Sequence, residues 1–201
     1  MRTLTDLRPY QHEALAFAQA TPRGYLAAKA GAGKTAVGLA LIDSLMFDHF
    51  VVNKVLVVGP MRVVPQWAKE ASGWSFGARL RFTQYRGSPN ASRASAEALP
   101  HRLELALAKA APEKHAEIRS RHRTSQRKLM AEAASRQAAL DAPYDVMVVS
   151  FEFFEDLVKD IKAKDWPFGL VIFDEASRLR AGGLKGSVGW RIMSSIARKS
   201  A

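Results

Sequence analysis

Short apolar runs alternate along the chain with stretches of helical periodicity. Four runs stand out: Tyr25-Leu26-Ala27-Ala28, Val55-Leu56-Val57-Val58, Val146-Met147-Val148-Val149 and Leu170-Val171-Ile172-Phe173. They are rich in β-branched residues and lack strict alternation, which is the pattern of strands buried on both faces. Between them Thr35 to Phe47, carrying Val37, Leu39, Leu41 and Ile42, reads as a helix, as do Pro65 to Trp74 and Glu152 to Ile161. Strand, helix, strand in succession predicts an α/β domain with a mostly parallel sheet and helices on both faces.

The stretch from about Ala91 to Leu140 breaks this pattern. It is rich in Ala, Arg and Glu and has no aromatic residue between Tyr85 and Tyr144. Two helices, His101 to Ala111 and Pro112 to Ala139, account for it, with Pro112 suited to a first helical turn. We therefore expect one domain over residues 1–201 with a helical insertion at about 91–140. Within the second helix His115, Arg119, Arg123 and Arg127 recur every four residues and form one basic face. Such a face commonly serves solvation alone; the functional alternative is sequence-independent contact with nucleic-acid phosphates.

Charge sharpens that alternative. The 201 residues carry 30 Lys and Arg against 19 Asp and Glu, a formal net charge of +11. The surplus lies in residues 1–140, whereas residues 141–201 hold nine basic and nine acidic residues. A polyanion, nucleic acid first, is the expected partner. With 48% hydrophobic residues the composition is that of a chain that folds around a core. The absence of Cys excludes disulfides, thiolate zinc sites and cysteine nucleophiles. The charged stretch from Met1 to Gln11 does not read as a signal peptide, and no apolar run is long enough to span a membrane, so a cytoplasmic location and no membrane partner are expected.

The sharpest chemical signal is Ala28-Lys29-Ala30-Gly31-Ala32-Gly33-Lys34-Thr35, which follows an expected strand and opens an expected helix. Gly31, Ala32 and Gly33 can curve the backbone so that successive N–H groups face a phosphate, at the positive end of the helix. Lys34 would reach the β- and γ-phosphates of a nucleotide, and the Thr35 hydroxyl would ligate Mg2+. A second signal follows the last apolar run. Asp174 would hold Mg2+ through its water shell, and Glu175 would orient and deprotonate the attacking water.

These motifs together resemble superfamily 2 helicases. Ala28-x-x-Gly31-x-Gly33-Lys34-Thr35 is similar to their motif I, which accepts Ala in the first position. Asp174-Glu175-Ala176-Ser177 is similar to motif II, the DEAD/DEAH box, with Ser in the last place. Leu7-Arg8-Pro9-Tyr10-Gln11, Val55 to Val64 followed by Trp67 and Glu70, and Tyr144 to Glu152 with Trp166-Pro167-Phe168 point to the Swi/Snf-like branch and its bacteriophage-type members.

The resemblance covers about Leu7 to Arg86 and Pro143 to Arg180, and implies a RecA-like P-loop NTPase domain that binds ATP and Mg2+. It further implies that Gln11 reads the adenine edge and that Pro60 and Arg62 meet the DNA backbone. After a helix like Gly186 to Arg198 the family has a motif III strand, lying between the strands that bear motifs I and II, and then a second RecA-like domain. Neither is expected before Ala201, so the resemblance implies a domain truncated before that strand, with another chain as the possible source of both. An arginine finger of the second domain is worth about 10³ to 10⁵ in turnover, so ATP binding should exceed hydrolysis here.

The leading expectation is the motor domain of an ATP-dependent DNA helicase or translocase. The alternative is a non-catalytic module that binds nucleotide and nucleic acid. A small P-loop kinase fits poorly because no acceptor site is evident. Metal-dependent nuclease chemistry is weak, since His12, His49, His101, His115 and His122 form no HxH or HExxH pattern and read as surface residues.

Overall fold

The computed structural model describes residues 1–21, 23–29, 31–86, 99–161 and 163–176. Helix α1 (Pro9–Ala20) and helix α2 (Lys34–Asp43) precede strand β1 (Val55–Gly59); helix α3 (Val64–Ala71), the short helix α4 (Ser75–Ala78) and strand β2 (Phe82–Tyr85) follow. Helices α5 (Leu99–Lys109) and α6 (His115–Asp141) come next, then strand β3 (Val146–Ser150), helix α7 (Phe151–Asp160) and strand β4 (Leu170–Phe173). By packing, the chain divides into one unit of residues 1–84 with 143–201 and a second of residues 85–142.

The first unit is built on a parallel sheet of order β2-β3-β1-β4. β1 pairs with β3 from Val55 opposite Val146 to Gly59 opposite Ser150, and with β4 from Val55 opposite Leu170 to Val58 opposite Phe173. Alternation sorts the side chains by face. Val55, Val57, Val146, Val148 and Ile172 join a core with Leu15, Leu39, Ile42 and Trp67 from α1, α2 and α3. Leu56, Val58, Met147 and Val149 point the other way, where Phe154 and Leu157 of α7 are fully buried. The expected fold class is thus present: α/β, with a parallel sheet flanked by helices.

Two elements differ from expectation. Tyr25 to Ala28 is not a strand, and Tyr25 and Leu26 are 54% and 36% exposed. An apolar run becomes a strand only with a neighbour on its hydrogen-bonding edge, and among the described residues no strand pairs with this one. Phe82–Tyr85, by contrast, forms edge strand β2 without having stood out as an apolar run, because only Phe82 and Tyr85 break its polarity. Ser177 to Arg180 and the helix expected at Gly186 to Arg198 lie outside the described residues, as do residues 87–98 of the insertion.

The second unit holds α5 and α6, close to the two expected helices; Pro112 opens a short 3-10 turn leading into α6. A ring nitrogen of His122 donates to the Leu99 carbonyl at 3.2 Å, and His115 bonds the Ala110 carbonyl at 3.0 Å. These two histidines are half-buried structural ties rather than surface residues.

One ion pair fixes how β2 and β3 begin. Asp145, just before β3, accepts from Arg81 Nη2 at 2.7 Å, from Arg81 Nε at 3.0 Å and from the Arg81 backbone N–H at 2.8 Å. The Arg81 guanidinium and N–H hold the Asp145 carboxyl below its ordinary value of 3.8. A depressed folded-state pKa stabilises fully above that value, and the stabilisation is lost as pH falls below it. Asp145→Asn should lower the Tm by about 2–4 °C at pH 7. The gap from wild type should narrow progressively as melts are repeated at pH values falling further below 3.8.

Candidate nucleotide site

The site begins with two glycines that only their backbone explains. Gly31 and Gly33 have φ of 78° and 76°, a region costly for residues with a Cβ, and Gly33 caps the N-terminus of α2. The loop between them is held from α1. Gln11 is 6% exposed; its Nε2 donates to the Ala32 carbonyl at 3.1 Å while its Oε1 accepts the Arg8 N–H at 2.8 Å. Tyr10 donates its hydroxyl to the same Ala32 carbonyl at 3.2 Å. A Cβ on Gly33 would lie 2.2 Å from Gln11 Nε2, so the glycine also makes room for the amide.

Lys34 opens α2 and turns its ammonium onto the loop, donating to the Ala28 and Lys29 carbonyls at 3.1 and 3.2 Å. Those bonds use two of its three N–H groups. Gln11, Ala32 and Lys34 line one cavity of about 230 Å³ with Tyr10, Leu26 and Val37. Thr35 follows in the first turn of α2. Tyr10 has no site role expected from the sequence; its place beside Gln11 in the Leu7 to Gln11 segment is the signal that points to it.

Asp174 and Glu175 follow directly on β4. The Asp174 N–H donates to the Val58 carbonyl at 2.8 Å, extending the pairing with β1 by one bond. Its carboxylate Oδ2 accepts the indole N–H of Trp67 at 3.0 Å. Glu175 has φ of 55°, an uncommon backbone for a residue other than glycine and one found at functional turns. Parallel pairing places Gly59, Ser150 and Asp174 together at the carboxyl edge of the sheet, where α/β domains bind ligands. Ser150 there is 2% exposed, and its hydroxyl has no hydrogen-bond partner among the described residues.

The two residues expected at nucleic acid beyond β1 part company. Arg62 is exposed in the turn closed by the Val63 N–H bond to the Pro60 carbonyl at 2.8 Å, whereas Pro60 is buried and supports that turn. Glu70, part of the same motif, holds Arg2 and Trp74, each through a 3.0 Å bond to its Oε1. Within the insertion Arg119, Arg123 and Arg127 are all exposed. Arg119 and Arg123 border a concavity of about 660 Å³ with His115, His122, Leu103 and Pro112; Arg127 lies outside it.

Among the described residues no three His, Cys, Asp or Glu cluster as a metal cage. The oxygen donors Thr35 and Asp174 fit magnesium nonetheless. That ion commonly takes one or two protein oxygens and completes its shell with water and phosphate.

A family model described as "SNF2-related domain" matches residues 10–187. The chain is 28% identical over 203 residues to "Putative protein p41" of Acyrthosiphon pisum secondary endosymbiont phage 1, covering 100% of this chain and 34% of that protein. Among solved structures it is similar to the Sulfolobus solfataricus SWI2/SNF2 ATPase core in complex with dsDNA. The TM-score is 0.53 at 17% identity, over 96% of this chain and 30% of the other, a likeness of fold. The chain thus spans about a third of the length of these relatives.

The two loop glycines should respond differently to substitution. Gly31→Ala carries the cost of positive φ alone, about 1–2 kcal/mol, since no atom lies within 4 Å of its added Cβ among the described residues. Gly33→Ala adds the collision with Gln11 and should give the larger Tm loss in parallel melts.

Proposed function

The chain belongs to the SNF2-related family, and from that we propose that it is a RecA-like ATP-binding motor domain, residues 1–201 with the basic helical insertion included, of an ATP-dependent DNA helicase or translocase. The observation that carries the reading is the joint presence of a glycine loop at a helix start and acids at the end of a parallel strand. Gly31 and Gly33 are in the left-handed region, Lys34 is at a helix start, and Asp174 and Glu175 follow a strand paired in parallel with β1.

In this reading the N–H groups of Gly31 to Lys34 and the Lys34 ammonium receive the β- and γ-phosphates of ATP. Gln11 contacts the adenine edge; its amide keeps a second N–H and a second lone pair beyond the bonds that brace the loop. Thr35 and Asp174 hold magnesium, which when bound neutralises charge on the transferred phosphoryl group. Glu175 takes a proton from the attacking water as the water oxygen bonds the γ-phosphorus and the bond from that phosphorus to the departing ADP oxygen breaks. Arg62 and the face of Arg119, Arg123 and Arg127 contact DNA phosphates; the dsDNA in the similar solved complex supports DNA as the partner. The phage relative supports action in the cytoplasm of a bacterial or phage-infected cell.

Lys34→Ala should weaken binding of a fluorescent ATP analogue by on the order of 100-fold. Glu175→Gln should keep that affinity within about twofold and reduce DNA-stimulated hydrolysis by about 10²-fold or more. Affinity indifferent to Lys34 would sink the reading, and hydrolysis indifferent to Glu175 would leave a binding module. Replacing Arg119, Arg123 and Arg127 together by Gln should weaken DNA binding and flatten its log-log salt dependence by up to about 3. An unaltered slope would mark α6 as a solvated bystander.

A further inference from the structure

We propose that Trp67 is a positioning residue for the Asp174 carboxylate, linking the helix that carries the phosphate loop to the acid that holds magnesium. The inference rests on the reading of Asp174 just given. Trp67 lies on α3, 107 positions from Asp174 in sequence, and is 2% exposed. Its indole N–H donates to Asp174 Oδ2 at 3.0 Å. The far end of the ring lies against α2: a Cβ on Gly38 would be 2.8 Å from Trp67 Cη2 and 3.4 Å from Cζ3, with Ile172 Cδ1 of β4 at 3.9 Å. The indole is thus packed against α2 at one end and bonded at the other to the acid that follows β4.

A buried indole N–H requires an acceptor, but a core carbonyl would meet that need. Here the acceptor is the acid at the end of β4. Asp174 is already fixed through its backbone bond to Val58, and its Cβ lies 3.3 Å from where a Gly59 Cβ would stand. Bonding Oδ2 as well settles the side-chain torsion and aims Oδ1. The donor matters as much as the bond. An indole N–H carries no charge, so it orients the carboxylate without competing with a cation as Lys or Arg would. Gly38 lies one helical turn after Lys34, so the same ring that aims the acid also spaces α2 from it.

The test is nucleotide binding by the 201-residue chain, measured in EDTA and across a magnesium titration. Trp67→Phe keeps an aromatic ring and removes the donor. It should leave metal-free affinity within about twofold of wild type and raise the magnesium midpoint about 10-fold or more. Trp67→β-(3-benzothienyl)alanine keeps the bicyclic shape with sulfur in place of N–H. It should give the same rise even where Phe perturbs the fold. A magnesium midpoint unchanged in the benzothienyl variant overturns the role of Trp67. Nucleotide binding that is indifferent to magnesium in the wild type overturns instead the reading of Asp174, and the inference with it.

Discussion

β1 is paired along both edges, and Val55 to Val58 are all 0% exposed. A strand so enclosed leaves no freedom of register, because a slip of one residue would exchange the faces of every side chain it carries. Its neighbours run parallel to it, so β1, β3 and β4 all end at one edge of the sheet. Gly59, Ser150 and Asp174 meet there as a consequence of pairing, although 91 and 24 positions separate them in sequence. The turn bearing Arg62 leaves from the same edge. The strand-end acids and the exposed Arg62 are thus placed by one buried ladder.

The loop itself is shaped from outside. Its glycines allow the curve, but what holds the curve is the pair of bonds from Tyr10 and Gln11 to one carbonyl, that of Ala32. α1 is therefore part of the site as well as of the core. Ordering such a loop before a ligand arrives lowers the entropy that binding must overcome.

Local signals were the most legible in the sequence. Runs such as Val146 to Val149 and the Gly31-x-Gly33-Lys34 spacing carry their conformation in a few adjacent residues, and the structure agrees with them. The apolar run at Tyr25 to Ala28 has the pattern of a strand yet is not one, because strand formation depends on a partner, which periodicity cannot display. The bond from Trp67 to Asp174 was equally invisible: a buried tryptophan announces the core, while its acceptor is chosen by how α3 packs on the sheet. Glu70 and Pro60 show that a motif also carries structural work: Glu70 holds the N-terminal anchor, and buried Pro60 starts the turn that exposes Arg62.

At the opposite end of α2 from Lys34, buried Asp43 is gripped by Arg79 through Nε and through a 2.6 Å bond from Nη2 to Oδ2. The pair raises the pKa of Arg79, chiefly through that hydrogen bonding, so the cation stays charged at any working pH. The helix is pinned at its tail and carries the loop lysine, Lys34, at its head, which makes it a lever with a fixed fulcrum. Ten residues span about 15 Å, so a tilt of about 5° about Asp43 carries Lys34 and the loop it braces through about 1 Å.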